Sequence, residues 1–214
     1  MLLNLEHLRE DYSAHALDIH SVDSNPFLQF QVWFKEAQKA QVLEPNAMIL
    51  STANTNGQPS SRTVLLKGVE EDAFVFYTNY RSRKGRQMAE NPRASLLFLW
   101  LELHRQIRIE GLVEKISPEQ STQYFQSRPR GSQIGALASP QSQPIKRKEL
   151  EEAVQHLEDT YLGQDKLPRP PHWGGYRIIP HLFEFWQGRP NRLHDRVQYE
   201  LDGKENWKLA RLAP

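Results

Sequence analysis

Apolar positions along the chain change their period several times, and each change marks an element. Residues 1–24 are mostly polar, with one short helical spacing over 5–12, and are expected to form an N-terminal arm that is partly mobile. Asn25-Pro26 then offers a capping side chain followed by proline at the first helical position. Phe27, Phe30, Phe34 and Ala37 recur at helical spacing with Trp33 beside them, which predicts a core-facing helix. From Ala47 the pattern alternates. A strand over 48–52 runs into the turn signal Asn54-Thr55-Asn56-Gly57, and further strands are predicted over 61–67 and 73–78. A short helix near 82–90 precedes two long, paired strands at 94–101 and 105–116. Ser117-Pro118-Glu119-Gln120 is a capping box that opens a helix to about residue 127. Residues 129–144 read as loop carrying one helical turn, and 146–162 as a helix with Leu150, Val154 and Leu157 on one side. After a proline-rich connection over 167–173, strands are predicted at 175–179, 182–187, 192–201 and 207–212, with Asp202-Gly203 at the last hairpin. Short strands with helices in the gaps disfavour an alternating parallel sheet. They favour a mainly β, α+β chain: a closed antiparallel barrel with peripheral helices, as a single domain over 25–214.

Composition narrows the function classes. The chain of 214 residues has a formal net charge of only +1, which lacks the basic footprint of a duplex nucleic-acid binder. Cysteine is absent, so disulfides, thiolate metal sites and thiol nucleophiles are excluded. There is no apolar run of about eighteen residues and no signal-like start in Met1-Leu2-Leu3-Asn4-Leu5-Glu6, so a soluble, cytoplasmic protein without a membrane partner is expected.

The candidate chemistry is cationic. If 192–197 is a strand, Arg192, His194 and Arg196 share one face while Leu193 and Val197 point into a core. Two guanidinium groups around an imidazole fit an anionic small molecule; a solvated strand face with a chance histidine fits the same spacing. Arg62 and Lys67 lie five apart and serve one ligand only if the strand breaks near Lys67-Gly68. Tyr77-Thr78-Asn79-Tyr80-Arg81-Ser82-Arg83-Lys84 ends a strand and puts two cations in a helix's first turn, where only a bound anion relieves the conflict with the helix dipole. Gln106, Arg108 and Glu110 share a strand face, and Gln106 suits a heteroaromatic edge. Tyr124 and Arg128, with Ser132 four further on, offer a second phosphate cradle. The eight histidines show no paired metal-ligand spacing, and no nucleophile elbow is present. His194-Asp195 is no acid–base pair if the strand alternates. Cation-rich pockets without a nucleophile suit a bound cofactor that carries the chemistry.

Residues 183–196 (Phe-Glu-Phe-Trp-Gln-Gly-Arg-Pro-Asn-Arg-Leu-His-Asp-Arg) resemble the signature of the pyridoxine (pyridoxamine) 5′-phosphate oxidase family. Ordered matches extend over nearly the whole chain. They include Arg62-Thr63-Val64-Leu65-Leu66-Lys67, Ser82-Arg83-Lys84, Ser127-Arg128-Pro129-Arg130, Gln141-Ser142, Trp173-Gly174-Gly175 and Arg211-Leu212-Ala213-Pro214. The resemblance implies an FMN-binding split β-barrel working as a homodimer, with FMN at the subunit interface. By position it assigns FMN to Arg62, Thr63, Val64, Leu65, Leu66, Lys67, Tyr77, Thr78, Arg83, Lys84 and Gln106. Gln141 and Ser142, from the other subunit, join them, as do Trp186 and Arg196. It assigns the substrate phosphate to Lys67, Tyr124, Arg128 and Ser132, and the substrate ring to Arg192, Leu193 and His194, with Arg192 and His194 as catalytic residues. Arg9 and Tyr12 match a segment that closes over the site. The implied reaction oxidises pyridoxamine or pyridoxine 5′-phosphate to pyridoxal 5′-phosphate with O2, yielding H2O2 and, from the amine, NH3. A flavin or pyridoxal-phosphate carrier and an NAD(P)H-dependent flavin reductase are the alternatives on the same barrel.

Overall fold

Asn25 caps the first helix as its side chain predicts, accepting from the Phe27 N–H at 2.8 Å. The computed structural model describes residues 12, 16–70, 72–203 and 206–214; Arg9 and most of the proposed helix over 5–12 lie outside them. In chain order the elements are α1 (Pro26–Lys39), β1 (Ala47–Ala53), β2 (Pro59–Leu65), β3 (Gly68–Glu70), β4 (Ala73–Asn79), α2 (Arg83–Glu90), β5 (Arg93–Trp100) and β6 (Arg105–Lys115). Then follow α3 (Pro118–Ser127), α4 (Arg130–Ala138), α5 (Arg147–Thr160), β7 (Trp173–Gln187), β8 (Asp195–Leu201) and β9 (Trp207–Leu212). The strands join in the order β2-β1-β5-β6-β7-β4-β3, with β8 on β7 and β9 on β8. The register pairs Thr78 with Gly174 and Trp186 with Arg196, both antiparallel. Among the described residues no helix is long and apolar enough to cross a membrane.

The chain divides into two compact units. One holds the described residues up to 49 with 96–110 and 180–214; the other holds 50–95 and 111–179. In the first, α1 buries Phe27, Phe30 and Trp33. Their rings meet Phe183, Phe98 and Phe185 edge-on at 5.1, 5.2 and 5.2 Å. Each such ring contributes about 1.5–3 kcal/mol by leaving water. Arg105 is buried here without orphaned charge. It pairs with Glu36, donates to Gln187 Oε1 at 2.8 Å and lies 4.3 Å from the Trp33 ring centre. In the second unit Phe125, Ile134, Leu167 and Trp173 form a cluster that α3, α4 and α5 cover.

Three expectations are corrected. Residues 130–138 form the helix α4 rather than loop. Gly131 and Gly135 lower its propensity, but burial of Ile134 and the bond from Gln133 Nε2 to the Arg128 carbonyl (2.8 Å) outweigh that. The strands predicted at 175–179 and 182–187 are one strand, β7, running through Pro180. Residues 173–178 pair with β4 and 182–187 with β8, so the proline falls where this edge changes partner and its missing N–H breaks no ladder bond with either. The strand predicted at 192–201 starts three residues late, at Asp195: Pro190–Arg192 is a 3₁₀ turn with Asn191 and Arg192 at φ +56° and +60°. Alternation therefore does not align Arg192, His194 and Arg196, and Leu193, expected in the core, is 66% exposed.

One close approach carries a stability prediction. A Cβ on Gly111 of β6 would lie 2.3 Å from the Ile179 carbonyl oxygen, a backbone atom with no room to retreat. Gly111→Ala should cost about 1–3 kcal/mol, seen as a lower urea midpoint at unchanged slope. An unshifted midpoint would mean that β6 and β7 separate freely there.

Candidate functional site

In the second unit, β2, β4, α2, α3 and α4 enclose a cavity of about 650 Å³, a size that suits a small-molecule ligand. The chain gets there by breaking β2 at Leu65. Lys67 donates its N–H to the Val75 carbonyl (2.9 Å), and the polypeptide turns into β3. That break lets Lys67 line the same cavity as Thr63, Val64 and Leu65. Leu66 is buried. Arg62 is not on the lining. Its guanidinium turns back to the Leu50 carbonyl (3.0 Å), Thr52 Oγ1 (2.7 Å) and Ser60 Oγ (2.6 Å).

The start of α2 is the electrostatic centre. Ser82 caps it by accepting from the Gly85 N–H at 3.2 Å, which puts Arg83 and Lys84 in the first turn as the sequence predicts. Lys84 is buried. Its Nζ donates to Thr78 Oγ1 at 3.3 Å, and that hydroxyl donates to Gln141 Oε1 at 3.3 Å. Gln141 thus reaches the cavity of its own chain. Ser142 beside it holds φ +70° and is exposed. Burial lowers the Lys84 pKa and the Arg62 charge lowers it further; Arg62 is lowered by burial and by Arg83. These cations crowd one another, and none of Arg62, Lys67, Arg83, Lys84 and Arg128 has an ion-pair partner among the described residues.

Arg128 lines the cavity as well. It ends α3 and stacks its guanidinium 4.6 Å from the Trp173 ring centre. Burial lowers its pKa, opposed by Tyr124, and its buried Nη1 has no hydrogen-bond partner. Tyr77 and Tyr124 stack at 3.7 Å, and burial, followed by Glu70, Tyr124 and Tyr80, pushes the Tyr77 hydroxyl up to about 12. Ser132, in the first turn of α4, lines the cavity. Trp173, Gly135 and Ala136 also line it; sequence reading did not single them out as site residues, because two sit on a helix read as loop.

The first unit carries a smaller pocket of about 330 Å³ lined by Leu97, Gln106, Arg108, Glu184, Trp186 and Arg196. Glu184 accepts from Arg108 Nη2 and Arg196 Nε, both at 2.7 Å. Burial would raise its pKa, but bonds from Arg196 and Arg108 overcome this and hold it below the usual carboxylate range. Arg196 also donates to the Ala213 carbonyl at 2.8 Å. Glu184 was missed, although its place between Phe183 and Phe185 already sets it on the face of Trp186.

His194 sits 4.6 Å from the Trp186 ring and 5.7 Å from Tyr12. Its Nδ1 accepts the Arg189 N–H at 3.1 Å, so the neutral ring keeps its proton on Nε2. Burial and then Arg192 lower its pKa, opposed by Asp195. Arg192 is exposed. Asp195 faces away and binds the Leu17 N–H (3.1 Å) and Arg211 (2.7 Å), so it does not pair with the imidazole.

These elements define a class: a mainly antiparallel β split barrel with peripheral helices and cation-lined pockets. The model of the pyridoxamine 5′-phosphate oxidase family matches residues 34–159, and that of the pyridoxine 5′-phosphate oxidase C-terminal dimerisation region matches 173–214. A pyridoxine/pyridoxamine 5′-phosphate oxidase of Paraburkholderia phymatum is 57% identical over 98% of this chain and 99% of its own. One from Bordetella pertussis is 55% identical over 99% and 100%. Among solved structures, PhzG from Burkholderia lata, in complex with tetrahydrophenazine-1-carboxylic acid, is 33% identical. It has a TM-score of 0.87 and covers 94% of this chain and all of its own. A pyridoxamine 5′-phosphate oxidase-related FMN-binding protein from Nostoc punctiforme, 18% identical with a TM-score of 0.73, shares the fold. The chain belongs to the pyridoxamine 5′-phosphate oxidase family and is an oxidoreductase of the flavoprotein type.

Proposed function

We propose that the protein oxidises pyridoxamine 5′-phosphate and pyridoxine 5′-phosphate to pyridoxal 5′-phosphate with O2, releasing H2O2 and, from the amine, NH3. It works as a homodimer with FMN at the subunit interface. The observation that carries this reading is that Lys67, Lys84 and Arg128 line the larger cavity with no ion-pair partner among the described residues. Cations left half-buried and unpaired are costly unless an anion completes them. The residues fit FMN: the Arg62, Arg83 and Lys84 cluster at a helix start suits a phosphate. Thr63 to Lys67, Tyr77, Thr78, Gln141 and Ser142, with Gln106, Trp186 and Arg196, complete the proposed flavin set. When bound, the flavin supplies a hydride acceptor that O2 regenerates.

The chain's own residues bind and orient. Lys67, Tyr124, Arg128 and Ser132 grip the substrate phosphate, and the orphaned Nη1 of Arg128 gains the acceptor it lacks. Binding energy from that remote handle positions the ring. Arg192, Leu193 and His194 face the pyridine, Arg192 stabilising developing negative charge and His194 orienting the reacting substituent through Nε2. Tyr12, 5.7 Å from the His194 ring, covers the site from this side. Arg128→Ala should raise KM for the phosphorylated amine about 100-fold, with a much smaller change in kcat. Steady-state peroxide assays check this, and an unchanged KM removes Arg128 from the phosphate site.

The deciding experiment for the function is direct. The purified protein should show a flavin spectrum and release peroxide on addition of pyridoxamine 5′-phosphate. Flavin without turnover would indicate a carrier, and bleaching by NAD(P)H without peroxide a reductase.

A further inference from the structure

The buried side of Arg62 is organised by a residue that none of the above assigns. Gln87 lies on α2, one turn beyond Lys84, and is buried. Its Oε1 accepts from Thr52 Oγ1 at 2.6 Å and from Ser60 Oγ at 2.7 Å. Those same two hydroxyls accept from the Arg62 guanidinium, at 2.7 and 2.6 Å. A hydroxyl has one proton to give. With both protons committed to the glutamine oxygen, both hydroxyls turn lone pairs toward Arg62. The Leu50 carbonyl takes a third guanidinium hydrogen. Three of the five N–H bonds of Arg62 are thus consumed on its inner side, leaving Nε–H and one Nη2–H.

We propose that Gln87 is a positioning residue for the flavin phosphate. It polarises Thr52 and Ser60 so that Arg62 is held by its inner edge and offers its two remaining donors to the anion. This rests on the FMN reading above. Remove the glutamine oxygen and the two hydroxyl protons lose their fixed acceptor. They are then free to rotate toward the guanidinium, and the fork loses its set angle. A planar fork depends on that angle more than a point charge does.

The test measures FMN and riboflavin dissociation constants on the apoprotein by flavin fluorescence; the two ligands differ only in the phosphate. Gln87→Leu should weaken FMN about tenfold, the size of one charge-assisted hydrogen bond. Riboflavin affinity should move less than about twofold, because no phosphate is present to feel Arg62. In an Arg62→Ala background the same substitution should leave FMN affinity unchanged, since the residue acts only through Arg62. Gln87→Met, closer in shape, stands in if the leucine variant fails to fold. Equal weakening of both flavins, or a full effect that persists without Arg62, overturns the inference while leaving the oxidase reading intact. A wild-type protein that binds neither flavin overturns both.

Discussion

Lys84→Ala strips FMN from the protein: the dissociation constant rises by roughly 30- to 1,000-fold, matching the 2–4 kcal/mol typical of truncating a buried, hydrogen-bonded charge at an interface. Lys84 is the most buried of the unpaired cations, and its Nζ donates to the Thr78 hydroxyl. Its own surroundings already work against its charge, through burial and then Arg62. A phosphate would offset both by pairing with the charged amine. The free protein holds Lys84 below its ordinary 10.5, so between the two values the folded amine is neutral where the unfolded one is charged. Apoprotein stability from this group therefore rises with pH through that window. FMN binding runs the other way, because it needs the charged amine, and affinity falls as pH climbs through the same window. Fluorescence titration across alkaline pH checks this. The wild type should show the falling limb and Lys84→Ala should lack it; equal affinity in the two proteins at neutral pH would remove Lys84 from the flavin site.

Much of this arrangement was readable from residue order, for physical reasons that differ by element. The start of α2 was legible because capping is local: Ser82 and the two cations behind it sit within four residues. The break at Leu66-Lys67 was only conditional, since a strand's end depends on what pairs with it. The Lys67 N–H finds Val75, and no local signal announces that. The helix α4 was lost for the same kind of reason, with glycines dominating a local reading and the burial of Ile134 deciding the outcome. Asp195 shows the limit most clearly. Residue order already argued against an acid–base pair with His194, but two of its partners, Leu17 and Arg211, lie far off in sequence, so only the fold discloses that it ties those segments together. The cluster around Arg62 was likewise invisible, because Thr52, Ser60 and Gln87 meet from three elements.

Arg192→Ala should lower kcat/KM by about 100- to 1,000-fold while flavin content stays at the wild-type level, in keeping with the loss of one group that stabilises transition-state charge. The turn that carries it makes the variant interpretable. Arg192 sits at φ +60°, a conformation that costs alanine no more than arginine because the clash comes from Cβ. Its side chain is exposed, so no core is opened. Arg192→Lys should recover little, since a point charge does not replace a planar fork. A second readout separates chemistry from shape. Arg192 is one of the two influences that hold His194 below 6.5. Removing it raises the imidazole pKa, and protonation at Nδ1 would break the bond from the Arg189 N–H. If the neutral ring is the working form, the acid limb of the rate profile moves to higher pH in Arg192→Ala. Full turnover in that variant, or a profile that stays in place, would detach Arg192 from the reacting ring and leave His194 to be explained by its packing on Trp186 alone.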